Sequence, residues 1–229
     1  MKKNTLVVIP AYNEERSIRQ VVEGAARFAD VCVVNDHSRD RTGEIARSIP
    51  GVTCITHERN THIPRVILDG MRYGFDRGYE YIVTMDAGLS HDPAELPRFL
   101  GAPDSDLVLG VRTDKKNSPL YRRALSYAAT VLVILALRPI RSGLPRPGFR
   151  DVTSGYRRYS RRAVGVLLNR DMKARTFDFH TEALMLVYRN GLSFAEVPIT
   201  YNFSNSSLNL KVVKDGIRMF LDMMVSRRK

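Results

Sequence analysis

The sequence predicts an α/β fold: a Rossmann-like, mostly parallel sheet flanked by helices. Three observations carry that prediction. Short continuous runs of β-branched residues recur through the first half, the pattern of strands buried on both faces. Segments with apolar residues at helical spacing lie between them. Polar turns bearing carboxylates close several of the runs, at the strand ends where open α/β sheets hold their ligands.

Leu6-Val7-Val8-Ile9 is the first strand, stopped by Pro10-Ala11-Tyr12-Asn13-Glu14-Glu15. Asn13 is placed to cap a helix whose apolar face is Ile18, Val21, Val22, Ala25, Ala26 and Phe28. Val31-Cys32-Val33-Val34 is a second buried strand and ends in Asn35-Asp36-His37-Ser38-Arg39-Asp40-Arg41-Thr42. A helix through Ile45 and Ala46 and a strand at Val52–Thr56 follow. Next comes a helix over Pro64–Asp76, its proline tolerated in the first turn. The strand Tyr81–Met85 delivers Asp86, a Gly88-Leu89-Ser90 turn leads to a helix near Pro93–Leu100, and Leu107–Val111 is a further strand.

The second half is less regular. Leu120–Leu137 reads as a helix whose last turns are apolar all round, and its 14-residue stretch Ala124–Leu137 is too short to span a bilayer. Two readings stay open for it, burial in the core or an interfacial position. Arg122 and Arg123 before it, with Arg138, Arg141, Arg146 and Arg150 after it, suit a headgroup boundary. Phe177–Tyr188 is a helix and Phe194–Thr200 a strand. Over Ser207–Arg228 an apolar stripe through Leu210, Val213, Ile217, Phe220, Leu221 and Met224 predicts an amphipathic helix. The expected division is one domain over 1–205 and a C-terminal helix over 206–229.

With 44% hydrophobic and 26% charged residues, the composition is ordinary for a globular protein and argues against disorder. Net charge is +12, unevenly placed: residues 1–114 carry 14 Lys/Arg against 17 Asp/Glu, and residues 115–229 carry 22 against 7. The basic half calls for a polyanion, a nucleic acid or an anionic membrane surface. Cys32 and Cys54 read as core thiols of a reducing compartment. The six-residue apolar run after Asn4 is too short for a signal-peptide core. Taken alone, Asp86 has two readings: a ligand for a cation that holds a diphosphate, or a turn residue ending its strand.

Val7-Val8-Ile9-Pro10-Ala11-Tyr12-Asn13-Glu14-Glu15, Val33-Val34-Asn35-Asp36-His37-Ser38-Arg39-Asp40-Arg41-Thr42 and Met85-Asp86-Ala87-Gly88-Leu89-Ser90-His91-Asp92-Pro93 come in the order and spacing of family 2 glycosyltransferases. Asp151-Val152-Thr153-Ser154-Gly155-Tyr156-Arg157, Phe179-His180-Thr181-Glu182 and Glu196-Val197-Pro198-Ile199 resemble that family's later motifs. The closest resemblance is to polyprenol- or dolichol-phosphate sugar synthases, over about residues 5–200. It implies the GT-A fold and a donor pocket in which Pro10, Tyr12 and Glu14 line the nucleoside, with Val34 and Ala87 beside them. It implies that Asp36 reads a base edge, that Asp86 binds the divalent metal (Mg2+ or Mn2+), and that Arg112 stands near the phosphates. Glu182 falls near the acceptor; with Asp178 it is a candidate base should the acceptor be a hydroxyl.

The sequence departs from the family at three places. Gly88 stands where the second aspartate of Asp-x-Asp belongs, leaving Asp92 as a substitute ligand. Asn35 stands where an aspartate is usual. After Pro198 an arginine and a lysine are missing, leaving Lys211 or Arg157 as stand-ins. The implied function is inverting sugar transfer from a GDP- or UDP-sugar to a polyprenyl or dolichyl phosphate. The implied setting is cytoplasmic: peripheral attachment at the cytosolic face, on an anionic membrane or a membrane-protein partner, with no nucleic acid. Transfer to a saccharide hydroxyl and non-catalytic binding of a nucleotide-sugar or nucleic acid remain the alternatives.

Overall fold

The computed structural model describes residues 4–116, 120–136, 148–176 and 178–202. Seven strands form one sheet: β1 (Thr5–Ala11), β2 (Asp30–Asn35), β3 (Val52–Thr56), β4 (Tyr81–Thr84), β5 (Leu107–Lys116), β6 (Arg157–Ser160) and β7 (Phe194–Asn202). The helices are α1 (Ile18–Ala26), α2 (Thr42–Ser48), α3 (His62–Asp76), α4 (Leu96–Leu100), α5 (Leu120–Ala136), α6 (Arg161–Leu168) and α7 (Phe179–Arg189). Strand order is β3-β2-β1-β4-β6-β5-β7. Every neighbouring pair is parallel except those of β6, which runs antiparallel to both β4 and β5.

Side chains of a strand alternate between faces, and β1 divides its residues accordingly. Leu6 and Val8 face a layer built with Val66, Ile67 and Met71 of α3, Val164 and Leu167 of α6, and Leu184 of α7. Val7 and Ile9 face the opposite layer, with Ile18, Val21 and Val22 of α1, Ala46 of α2 and Phe99 of α4. Both faces of β1 are closed to water, so a continuous apolar run there was the right signal for a central parallel strand.

Several elements differ from expectation. β1 continues through Pro10 to Ala11, because Pro10 and Ala11 are in register with Val34 and Asn35. Neither β6 nor α6 is expected from the sequence. β6 carries two consecutive arginines, and both are buried, on opposite faces of the sheet's middle. Arg157 donates to the carbonyls of Ser154 (2.7 Å), Val152 (2.6 Å) and His180. Arg158 donates to the carbonyls of Phe99 (2.8 Å), Ala102 (3.3 Å) and Pro103 (2.7 Å), capping the orphan C-terminal end of α4. Arg157 is therefore a structural brace and not the substitute phosphate ligand the sequence suggested.

α5 is buried along one face and exposed along another. Val133 and Thr130 are buried, and Thr130 Oγ1 accepts the Val152 N–H. Its other face leaves Tyr127, Val131 and Leu132 exposed, at 71, 36 and 43%. Cys32 is buried and Cys54 half-buried, both free thiols, and burial pushes Cys32 up to about 12. The expected amphipathic helix over 206–229 lies outside the described residues.

Candidate functional site

The C-terminal ends of β1, β2 and β4 open into a crevice of about 980 Å3. Three loops form much of its wall, and hydrogen bonds lock the first two together. Asn13 has φ 56, a left-handed conformation that asparagine tolerates. Its N–H donates to Ser38 Oγ (3.0 Å) and its Oδ1 accepts the Arg39 N–H (2.8 Å), so it bridges loops instead of capping α1. The Glu14 N–H donates to Thr42 Oγ1 (2.7 Å), whose hydroxyl donates to Asp40 Oδ1 (2.5 Å). Asp40 Oδ2 accepts the Glu15 N–H (3.1 Å).

Asp36, at the end of β2, holds the third wall. Its Oδ1 accepts the Thr61 N–H (2.8 Å) and hydroxyl (3.0 Å) and lies 2.9 Å from His57 Nδ1; its Oδ2 accepts the His62 N–H (2.9 Å). Burial pushes this carboxyl up, but the bonds from Thr61, His57 and His62 outweigh it and hold the group below its ordinary value. Asp36 lines the crevice, yet most of its acceptor capacity is taken by its own chain. Oδ2, which accepts the His62 N–H and has a second lone pair, is the atom left for the base-reading role expected of Asp36.

Asp86 stands just past β4, its side chain 43% exposed. Its N–H donates to His91 Nδ1 (3.1 Å), which places the imidazole proton on Nε2. His91 is buried against Tyr156 (ring centroids 5.0 Å apart) and Tyr201 (5.8 Å), and burial pushes its pKa down despite the Asp86 carboxylate beside it. Gly155 passes close beneath: a Cβ there would stand 2.8 Å from His180 Nε2 and 3.6 Å from Asp86 Oδ1. His180 is itself buried, and burial together with the charge of Arg157 holds it neutral.

Pro10, Tyr12, Glu14, Asp36, Asp86 and Ala87 all lie on the crevice. Val34, Arg112 and Glu182 do not. Val34 is wholly buried in the α3-side core. Arg112 is clamped by Asp151, Nε to Oδ2 at 2.6 Å and Nη2 to Oδ1 at 2.8 Å, and also reaches Ser126 (3.2 Å) and Thr153 (2.5 Å). Its guanidinium lies 5.2 Å from the ring centre of Tyr201, so it supports a crevice residue from behind. Glu182 accepts the N–H groups of Lys173 (3.0 Å) and Ala174 (2.7 Å), anchoring a loop. Asp92, the suggested substitute metal ligand, accepts the Ala94 N–H (2.9 Å) as a turn cap. Asp178 accepts the N–H groups of Arg175 and Thr176.

Sequence reasoning passed over Arg16, His62, Arg175 and Tyr201, all on the crevice. Arg175 sits in a segment, Met172–Thr176, with no strand or helix pattern to draw notice. Fit to a divalent cation is poor: among the described residues no group of three or more His, Cys, Asp or Glu side chains gathers to hold one.

A mostly parallel sheet with a crevice at its carboxyl edge, walled by the β1 and β2 loops and floored by an aspartate, is the architecture of an α/β domain of the GT-A type, with its crevice where open α/β sheets hold ligands. The family model of glycosyl transferase family 2 matches residues 6–167, and the chain belongs to that family. The polyprenol monophosphomannose synthase of Mycolicibacterium smegmatis is 32% identical over 245 residues, 96% of this chain and 89% of that protein. The undecaprenyl-phosphate mannosyltransferase of Micrococcus luteus is 31% identical over 208 residues, 86% of this chain and 82% of that protein. Glucosyl-3-phosphoglycerate synthase of Mycobacterium tuberculosis, crystallised with Mn2+, uridine diphosphate and glucosyl-3-phosphoglycerate, superimposes with a TM-score of 0.69 at 18% identity. That match covers 97% of this chain and 79% of the other, and at such identity it speaks for the fold alone.

Proposed function

We propose that this glycosyltransferase moves a hexose, mannose in the first instance, from a nucleoside-diphosphate donor (GDP- or UDP-linked) to a polyprenyl or dolichyl phosphate. The carrying observation is the crevice at the ends of β1, β2 and β4, together with the relatives whose names specify polyprenyl-phosphate mannosyl transfer. The nucleoside lies against Pro10 and Tyr12, where an exposed ring is available to stack, and beside Glu14. Asp86 faces the sugar-diphosphate end. An oxygen of the lipid phosphate attacks the anomeric carbon as the bond to the diphosphate breaks on the opposite side, inverting the configuration. The nucleophile arrives ionised and no proton needs removing, which agrees with Glu182 being engaged by loop N–H groups. A divalent cation at Asp86, Mg2+ or Mn2+, is the family expectation and would supply charge to the leaving diphosphate; among the described residues no closed ligand set gathers for it.

We place the protein in the cytoplasm, at the cytosolic face of an anionic membrane, through the exposed Tyr127, Val131 and Leu132 of α5 and the basic second half; a membrane-protein partner is a further means of attachment, and nucleic acid is not a partner. No helix among the described residues is long and apolar enough to cross a membrane. The test is incubation with radiolabelled GDP- and UDP-sugars and polyprenyl phosphate. Label passing into the organic phase is the expected result. Label remaining with water-soluble products for every donor refutes the acceptor assignment.

A further inference from the structure

Resting on the nucleotide-sugar reading, we infer that the donor's diphosphate is held by Arg175 and Arg16, and that its binding does not depend on a divalent cation. Three observations lead there. The first is Gly88. Its backbone is outside the left-handed region that would require glycine. A Cβ built there meets nothing nearer than Glu14 Oε1 at 3.8 Å. An aspartate would fit, so the missing carboxylate is a matter of chemistry and not of space.

The second is the state of the remaining carboxylates. Glu14 Oε2 accepts the Ser17 hydroxyl at 2.7 Å. Asp36 is held by four bonds from the 57–62 wall, and Asp40 by Thr42 and Glu15. Glu15 accepts the Arg41 N–H at 3.1 Å, which leaves Asp86, just past β4, as the crevice carboxylate beside Gly88 with the least of its acceptor capacity taken by its own chain. A single carboxylate supplies at most two of the six or more oxygens such an ion takes, so the rest would have to come from water and from the diphosphate itself.

The third is the arginines. Arg16 enters from the β1–α1 loop and Arg175 from the loop before α7, so they reach the crevice from different walls. Neither forms an ion pair among the described residues, whereas Arg112, Arg150 and Arg162 all do. The backbone that carries Arg175 is fixed on both sides, Lys173 and Ala174 by Glu182, and Arg175 and Thr176 by Asp178. A guanidinium on an anchored backbone loses little freedom on binding and can engage two phosphate oxygens at once.

The experiment is calorimetric titration of the whole chain with UDP and with GDP, in chelator and again in manganese. Wild type is expected to bind one of them with affinities within about threefold between the two conditions, a span of under 1 kcal/mol. Arg175→Ala is expected to weaken binding about tenfold or more in chelator, with Arg16→Ala a smaller loss, as charged hydrogen bonds to phosphate are removed. Gly88→Asp places a carboxylate beside Glu14 and Asp86. It should weaken binding in chelator by about tenfold and regain it in manganese, making affinity cation-dependent. Thermal unfolding checks that each variant is folded. Manganese tightening wild-type binding by more than about tenfold overturns the inference while leaving the proposed function standing. So does an Arg16→Ala/Arg175→Ala double variant that binds like wild type. Binding of neither nucleotide under either condition overturns both.

Discussion

The ion pair behind Tyr201 offers the sharpest test of how this site is held. Asp151 and Arg112 meet through two parallel contacts of 2.6 and 2.8 Å, with side chains 3 and 15% exposed. Asp151→Asn keeps the shape and removes the charge, leaving a guanidinium in a low-dielectric place. Breaking a buried pair from one side costs about 3–5 kcal/mol. Arg112 keeps hydroxyl acceptors in Ser126 and Thr153, which argues for the low end, ~3 kcal/mol. For a chain of this size that corresponds to a fall in Tm of roughly 6–12 °C. Arg112→Met should cost a similar amount, since the buried Asp151 carboxylate would lose the guanidinium that pairs its charge. The double variant should be far less destabilised than the sum, because neither charge is left alone. The assay is a double-mutant cycle by urea unfolding. A coupling under about 0.5 kcal/mol would sink the claim that the two groups form one buried unit.

Three further outcomes are expected. Asp106 is drawn down from 3.8 to about 2: burial raises it, and bonds from Arg162, Ser160 and Ser193 more than reverse that. Its folded value being the lower one, its contribution is complete above the ordinary value and is lost as pH falls toward 2; Asp106→Asn should abolish that part of the acid transition, ~1–2 kcal/mol after screening at the exposed Arg162. Glu182→Ala should free the Lys173–Ala174 turn and raise donor KM several times more than it lowers kcat, on the order of tenfold against twofold. Steady-state kinetics decide it, and a collapse of kcat at unchanged KM would restore Glu182 as a general base. Gly155→Ala should cost about 1–3 kcal/mol by overpacking against His180, read as a loss in Cm at unchanged m.

Much of the frame was legible because β1, β2, β4 and the start of β5 are buried on both faces and so appear as unbroken apolar runs. β6 was not, since Arg157-Arg158-Tyr159-Ser160 looks like a charged loop until its carbonyl partners are known. Those partners are remote in sequence, and no local pattern announces them. α6 had a signal that went unread: Ala163, Val164, Leu167 and Leu168 fall at helical spacing. At the site, motif spacing brought out Pro10, Tyr12, Glu14 and Asp86, whose places depend on strand ends. It did not reveal that Arg112 and Glu182 are engaged elsewhere, because Asp151 and the Lys173–Ala174 amides meet them only through tertiary packing.

The placing of β6 has a consequence for how the chain is made. Residues 157–160 are the seam between the β3-β2-β1-β4 sector and the β5-β7 pair, although they follow β4 in sequence by more than seventy positions. A ribosome-bound chain that stops short of residue 157 therefore presents β4 with a bare, strand-accepting border. Until β6 and then β7 emerge, β5 has neither of its partners, so the nascent product is a four-stranded sheet with a bare edge beside a lone strand, and that interval is when it is most exposed to mispairing.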